Sequence, residues 1–309
     1  MYRVALSILL SSCGLYGFIP THHIGCWGST DPSKRESNYP FISGDVFRDH
    51  CDHVCDEASG AFKANCVRYA DTVFVNGNFL YPFIYFIHPQ IVHPYILVTH
   101  NSDRSIPDYF YEFLEDPKLL CWFGINAMIR KHPKIKPLPI GVENALFGKT
   151  EIIKALLVDI PSWEKRENKA YVNFNLMTNN LLRGFVWQLF KDRSYCVNDS
   201  GRPYKEYLEQ MKSYLFIISP PGYGIDCHRH WEALMMGAIP VMQHSTIDEL
   251  FTDLPVILVH DWVQVSPEFL QEEYNKLKEK TFNFKKLYAD YWLDQIYTLQ
   301  EGFRKYHFA

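Results

Sequence analysis

The sequence predicts an α/β protein made of two similar halves that open towards one cleft, and three observations carry that prediction. Short apolar runs alternate with helix-like stretches along most of the chain, which is the pattern of parallel sheets covered by helices. Each run ends in a cluster of polar residues, as expected where ligands bind beyond the carboxyl ends of parallel strands. Between the halves, Asp159-Ile160-Pro161 breaks a helical pattern and a charge-dense stretch, 163–169, follows, as in an exposed connection between compact units.

Taken in order, the chain opens with Arg3 and then an almost uncharged apolar stretch from Val4 to Ile19, closed by Pro20. This stretch is shorter than the roughly 20 residues of a membrane span. Segment 1–20 is therefore read as a signal peptide or short signal anchor, the other reading being a buried first strand. It places the protein in the secretory pathway or at a membrane, or on a cytoplasmic face if an anchor is kept. Leu10-Ser11-Ser12-Cys13 is a weak match to the lipid-attachment box of bacterial lipoproteins. An N-terminal domain over 21–162 and a C-terminal domain over 163–309 follow. The strands expected in the first are Thr72 to Val75, Tyr95 to Thr99, Leu119 to Phe123 and Lys136 to Ile140. In the second they are Ala170 to Phe174, Leu215 to Ser219, Ala238 to Met242 and Pro255 to Val259.

Composition narrows the function. Apolar residues make up 47% and charged residues 21% of the 309, which suits a folded globular chain. A formal net charge of -4 leaves no basic surplus to neutralise a phosphate backbone, so nucleic acid is not the expected partner. Of the eight cysteines, Cys51 and Cys55 share a face if their stretch is helical, with His50, His53 and Cys66 near. Their spacing fits no zinc finger; buried free thiols are preferred to a disulfide or a zinc site.

The most informative stretch runs from Phe216 to Met242, a strand, a Pro/Gly turn and a helix. Asp226 is the expected N-cap, accepting from the N–H of His228 or Arg229, and Gly237 the expected stop before a new strand at Ala238. His228, Arg229 and Glu232 fall on one helix stripe, and Trp231, Leu234 and Met235 on another, apolar one. Arg229 and Glu232 read either as a surface ion pair or, at a helix N-terminus after a glycine-bearing turn, as part of a phosphate site.

The pattern Glu-Ala-Leu-x-x-Gly-x-Ile-Pro-Val over Glu232 to Val241, preceded by Ser219-Pro220-Pro221-Gly222 and Asp226-Cys227-His228-Arg229, resembles the exostosin-like glycosyltransferases, a group related to the ribitol xylosyltransferases. Ser43-Gly44-Asp45, His100-Asn101-Ser102-Asp103, Trp122 to Asn126 and Pro139 to Asn144 resemble the N-terminal half of the same group. The resemblance implies a GT-B fold with two Rossmann-like domains, its terminal helix crossing back onto the first domain through Trp292 and Tyr297. It also implies transfer of a sugar from a nucleotide-diphosphate sugar, UDP-linked and with inversion, to a glycan or other hydroxyl acceptor. Glu232 would meet the ribose. Arg229 and His228 would meet the diphosphate, near Ser219, Gly222 and Asp226. Arg183 is a further phosphate candidate, its alternative being a solvated helix arginine. The pattern departs in one place, since the second Glu of many GT-B enzymes falls here on Gly224.

The acceptor belongs on the N-terminal half with the general base, for which Asp103 is the first candidate, after the strand ending at Thr99, and Asp45 and His100 the next. No Asp-x-Asp follows an apolar strand, so neither a metal nor a cofactor is expected beyond the nucleotide sugar as co-substrate. Two competing readings share these features. One is another GT-B branch, such as a fucosyltransferase-like or glycerol-phosphate transferase. The other is an extracytoplasmic two-lobed solute-binding protein, which offers no reason for the Asp226 to Glu232 constellation. Ser266-Pro267 is expected to open a helical C-terminal stretch, broken around Thr281 to Phe284.

Overall fold

The computed structural model describes residues 35–307, so segment 1–20 and its lipid-box match lie outside the described residues. Two five-stranded parallel sheets form the body. The first takes β1 (His53–Cys55), β2 (Thr72–Asn76), β3 (Tyr95–His100), β4 (Leu119–Gly124) and β5 (Ile135–Pro137) in sequential order. The second takes β6 (Glu167–Val172), β7 (Cys196–Asn198), β8 (Tyr214–Ile218), β9 (Ile239–Gln243) and β10 (Ile257–Val259) in the order β10-β9-β8-β6-β7. Central strands such as β2, β3 and β8 are buried at every position, which is why they read as continuous apolar runs rather than alternating ones.

All eight expected strands are present, with edges shifted by a few residues. The structure adds β1 and β7, each of three residues at a sheet edge. It corrects the helical reading around Cys51 and Cys55, because 53–55 is extended and pairs with 73–75. The alternation of His, Val and Cys there fits a half-buried edge strand. The six described cysteines are free, and burial pushes the thiols of Cys51 and Cys55 up to about 12.

The helices are α1 (Gly44–Asp49), α2 (Thr150–Leu157), α3 (Asn180–Phe190), α4 (Tyr204–Ser213), α5 (His228–Met235), α6 (Pro267–Lys278) and α7 (Ala289–His307). Ser266 caps α6 through its hydroxyl on the Phe269 N–H, with Pro267 at the first helical position. Helix α7 returns to the first sheet. Gln300 donates to Asp52 and to the Ala70 carbonyl, and Arg304 pairs with Asp71. Trp292 and Ile296 lie in one core with β2, β3 and β4, and Tyr297 packs against it. That core also takes Trp231, Leu234 and Phe251 from the second half, with Trp292 edge-on to Trp231. The apolar stripe of α5 thus joins the halves, giving the GT-B-like α/β layout. Among the described residues no helix is long and apolar enough to cross a membrane.

Candidate functional site

Hydrogen bonds between the halves bring the carboxyl edges of the two sheets together. The Asp226 N–H donates to Asn126 Oδ1 (3.0 Å), and the Ile140 N–H donates to Asp226 Oδ2 (2.8 Å). His228 Nδ1 lies 2.7 Å from the Gly141 carbonyl, and Thr246 donates to the Ala127 carbonyl. Polar residues after the strands do converge on one cleft.

Topology singles out one point on that edge. In the second sheet the chain goes outward from β6 to β7 and then returns to the other side of β6 with β8. Loops at such a reversal diverge and leave a crevice between them. The order of the first sheet shows no reversal among the described strands. A cavity of about 300 Å³ lies at this point, lined by Asn173, Phe174 and Asn175 after β6, Gly201, Arg202 and Tyr204 after β7, and by Tyr207, Arg229 and Lys149.

Its electrostatics are unbalanced. Arg229 is buried, its Nε donating to the Asn173 carbonyl (3.1 Å) and its Nη1 to that of Pro220 (3.4 Å). Arg183, also buried, donates to the carbonyls of Pro221 (2.9 Å), Asn175 (2.8 Å) and Pro220 (3.3 Å) and to the Thr178 hydroxyl. Both guanidiniums lie near the Phe174 ring, 5.8 Å away for Arg183 and 5.4 Å for Arg229, and both donate to the Pro220 carbonyl. Neither forms an ion pair with a carboxylate among the described residues, and desolvation with Arg229 alongside pulls Arg183 down to about 10. Two buried cations without a counter-charge cost several kcal/mol of desolvation and repulsion. An anion placed here would relieve that cost.

Glu232 does not pair with Arg229. Its Oε1 accepts from the Tyr204 hydroxyl (2.7 Å) and its Oε2 from that of Tyr207 (3.3 Å). Burial and this carboxylate push both phenols well above their ordinary range. Lys149 sits over the Tyr204 ring and pairs with Glu143. Glu232 therefore stands just behind the tyrosine wall of the cavity, where it remains able to accept further hydrogen bonds.

Asp226 requires a correction. The N-cap of α5 is Cys227, whose backbone is extended, while Asp226 lies one residue outside. Its Oδ1 accepts from the Cys227 N–H (2.9 Å) and faces His230 Nδ1 (3.0 Å), and both oxygens lie 3.0 Å from Trp231 Nε1. With Ile140 added, the carboxylate is a latch between the halves. Ser219 is fully buried, and Gly222 lies against the Arg183 guanidinium. Gly224 has a steric reason: a Cβ there would stand 2.5 Å from Nδ2 of Asn126, which is fully buried. A glutamate has no room at this position. Gly224→Ala is expected to cost about 1–3 kcal/mol, measured by denaturant unfolding; a change below 0.5 kcal/mol, the scatter of neutral surface substitutions, would show that the loop yields.

Of the candidate bases, Asp103 is exposed on the loop after β3. Partial desolvation pushes its carboxyl up, and the nearby His228 opposes that. His100 is buried with both nitrogens engaged, Nδ1 accepting from the Asn101 N–H (2.8 Å) and Nε2 donating to the Pro139 carbonyl (3.2 Å); burial takes it down to about 4. Asp45 is fully buried, its Oδ1 held by Arg35 and Asn101.

Sequence reasoning missed Lys149, Arg202, Tyr204 and Tyr207. The signal for two of them, Gly201-Arg202-Pro203-Tyr204, is a turn that follows the missed strand β7.

No family model matches the chain, and no curated protein matches it either. The likeness to exostosin-like enzymes thus remains an expectation. Solved structures of similar layout include an alpha1,3-fucosyltransferase, at 12% identity over 80% of this chain and 79% of that one with a TM-score of 0.45. Another is an alpha1,3-fucosyltransferase with GDP-fucose, at 12% identity over 78% and 79% with a TM-score of 0.44. The UDP-GlcNAc 2-epimerase from Methanocaldococcus jannaschii follows at 13% over 71% and 72%, with a TM-score of 0.31.

Proposed function

We propose that the protein is a glycosyltransferase that takes a sugar from a nucleotide-diphosphate donor bound at the cavity between β6 and β8 and passes it to a hydroxyl acceptor on the N-terminal half. The observation that carries this reading is the pair Arg183 and Arg229, buried together near Phe174 with no carboxylate partner among the described residues. The diphosphate is the missing counter-charge. It sits against Arg229 and the N-terminus of α5, where backbone N–H groups and the helix dipole favour an anion. Glu232 meets the ribose through the hydroxyls of Tyr204 and Tyr207 that it holds.

In the transfer, the acceptor oxygen bonds to the anomeric carbon as the bond from that carbon to the diphosphate oxygen breaks. The electron pair leaves with the nucleotide, and the growing negative charge falls beside Arg229. A group on the cleft takes the hydroxyl proton, and of the three bases expected from the sequence only Asp103 is exposed. A single displacement of this kind inverts the anomeric centre. Because the chain's own cations meet the leaving charge, the reaction is expected to persist in EDTA.

A thermal-stability screen of UDP, GDP and their sugars tests the reading, since a ligand at 100 times its dissociation constant adds about 2.7 kcal/mol. Stabilisation by a sugar with no response to any nucleotide would instead support the solute-binding alternative. Within the site, Glu232→Gln is expected to weaken nucleotide binding by about tenfold, since hydrogen bonds to a charged acceptor contribute about 1.5–3 kcal/mol. The fold should survive with a loss near 1 kcal/mol from the weakened tyrosine contacts. A large drop in melting temperature at unchanged affinity would make Glu232 a structural residue only.

A further inference from the structure

We infer that the proton of the attacking hydroxyl goes to Nε2 of His228. The assignment rests on the glycosyl-transfer reading and adds to it the identity and tautomer of the base.

His228 opens α5, one residue before Arg229. The two neighbours face different ways. Arg229 lines the donor cavity, whereas His228 reaches across to the N-terminal half, with Nδ1 2.7 Å from the Gly141 carbonyl. A carbonyl oxygen can only accept, so the proton of this imidazole sits on Nδ1. Nε2 is left as the nitrogen that can take one, and no hydrogen-bond partner occupies it among the described residues. The residue is half-buried rather than sealed. The ring is held from two sides, by the first turn of α5 and by the loop after β5, where Asp226 fixes the Ile140 N–H. A base for an in-line displacement has to stand on the face of the sugar away from the diphosphate, and this alternation of Arg229 and His228 supplies both faces from one helix turn.

The other groups at the interface are engaged or sealed from solvent, Asp45 with one carboxylate oxygen that has no partner among the described residues. Both nitrogens of His100 are engaged, Asp45 is fully buried, and the Asp226 carboxylate is taken up by Ile140, Cys227, His230 and Trp231. Asp103 is open, yet no hydrogen bond fixes its carboxylate among the described residues. Nothing among those residues orients it towards an acceptor, so it stands as the rival base. In the step, the acceptor O–H proton passes to Nε2 as the acceptor oxygen bonds to the anomeric carbon, the Nδ1–H stays hydrogen-bonded to the Gly141 carbonyl, and the ring is an imidazolium when the product glycoside forms.

The test compares His228→Gln and Asp103→Asn with the full wild-type chain, measuring donor turnover by the nucleoside diphosphate released and binding of UDP and GDP by calorimetry. Glutamine can still donate to the Gly141 carbonyl but cannot accept a proton. His228→Gln should lower kcat by about 10²–10⁴-fold with nucleotide affinity within about threefold of wild type, a split that a merely structural role does not produce. Asp103→Asn should keep kcat within about tenfold of wild type, less than the loss expected for removal of a base. Turnover of His228→Gln within threefold of wild type, or a deeper loss in Asp103→Asn than in His228→Gln, overturns the assignment and makes Asp103 the base. If His228→Gln does not fold, nitrogen-15 spectra of the wild-type imidazole decide: a proton on Nδ1 and a bare Nε2 support it, and the opposite tautomer overturns it. Wild-type chain that turns over no donor overturns the proposed function and this assignment together, whereas normal turnover in His228→Gln overturns this assignment alone.

Discussion

Asp226→Ala is expected to lower stability by about 4 kcal/mol or more, and the melting temperature by roughly 10 °C. The size follows from the donors that one carboxylate satisfies. It accepts from the N–H groups of Ile140 and Cys227 and from the Trp231 indole, and it faces the His230 imidazole. Removing it leaves these donors buried without partners, at about 1–3 kcal/mol each, while a domain of this size loses about 2–4 °C per kcal/mol. One of the orphaned donors belongs to the other half of the molecule, so the loss should appear as weakened coupling between the halves as well as reduced stability. Asp226→Asn should fall between the two, because an amide keeps one acceptor oxygen and turns an N–H₂ towards other donors. Differential scanning calorimetry reads both effects, and a loss under 1 kcal/mol in Asp226→Ala would mean that water or a rotated loop satisfies the donors instead.

Arg229→Met should behave in the opposite way. It removes a buried guanidinium that has no carboxylate partner, and replacing a buried charge by an apolar side chain of similar length is often neutral or stabilising. The free protein should therefore melt within about 1 kcal/mol of wild type, since two carbonyls lose a donor but an uncompensated charge is gone. Nucleotide affinity should fall by about 100-fold, which is the loss of a charge-assisted contact to phosphate of about 2.7 kcal/mol. Arg183→Met provides the contrast. Arg183 holds the Pro220 and Pro221 carbonyls and the Thr178 hydroxyl, so its loss should destabilise the loop itself. The two arginines share the Pro220 carbonyl, and the expected contrast is that Arg229 serves the ligand and Arg183 the wall behind it.

The sequence makes the second half legible because its strands are continuous apolar runs ended by turns. Phe216 to Met242 states strand, turn, helix and strand in order, and Gly237, with its φ of +72°, ends α5 as expected. Strands β1 and β7 were hidden because three half-buried residues at a sheet edge do not make an apolar run. Missing β7 had a further cost, since the loop after it carries Arg202 and Tyr204 into the cavity. Asp226 was misplaced for a different reason. Asp before a helix favours the N-cap locally, but Trp231 and the Ile140 N–H, the latter 86 residues earlier in the chain, draw its side chain into the interface. Such long-range hydrogen bonds leave no periodic trace. The same holds for Glu232, whose tyrosine partners come from α4.

Calorimetric titration of the wild-type chain and of Arg229→Met with UDP and with GDP, at low and at moderate salt, decides whether the cavity is a nucleotide site. The wild type should bind at least one of the two nucleotides, binding should weaken as salt screens the cations, and Arg229→Met should bind about 100-fold more weakly at an unchanged melting temperature. Wild-type protein that binds neither nucleotide, or Arg229→Met that binds as tightly as wild type, would contradict a nucleotide site there.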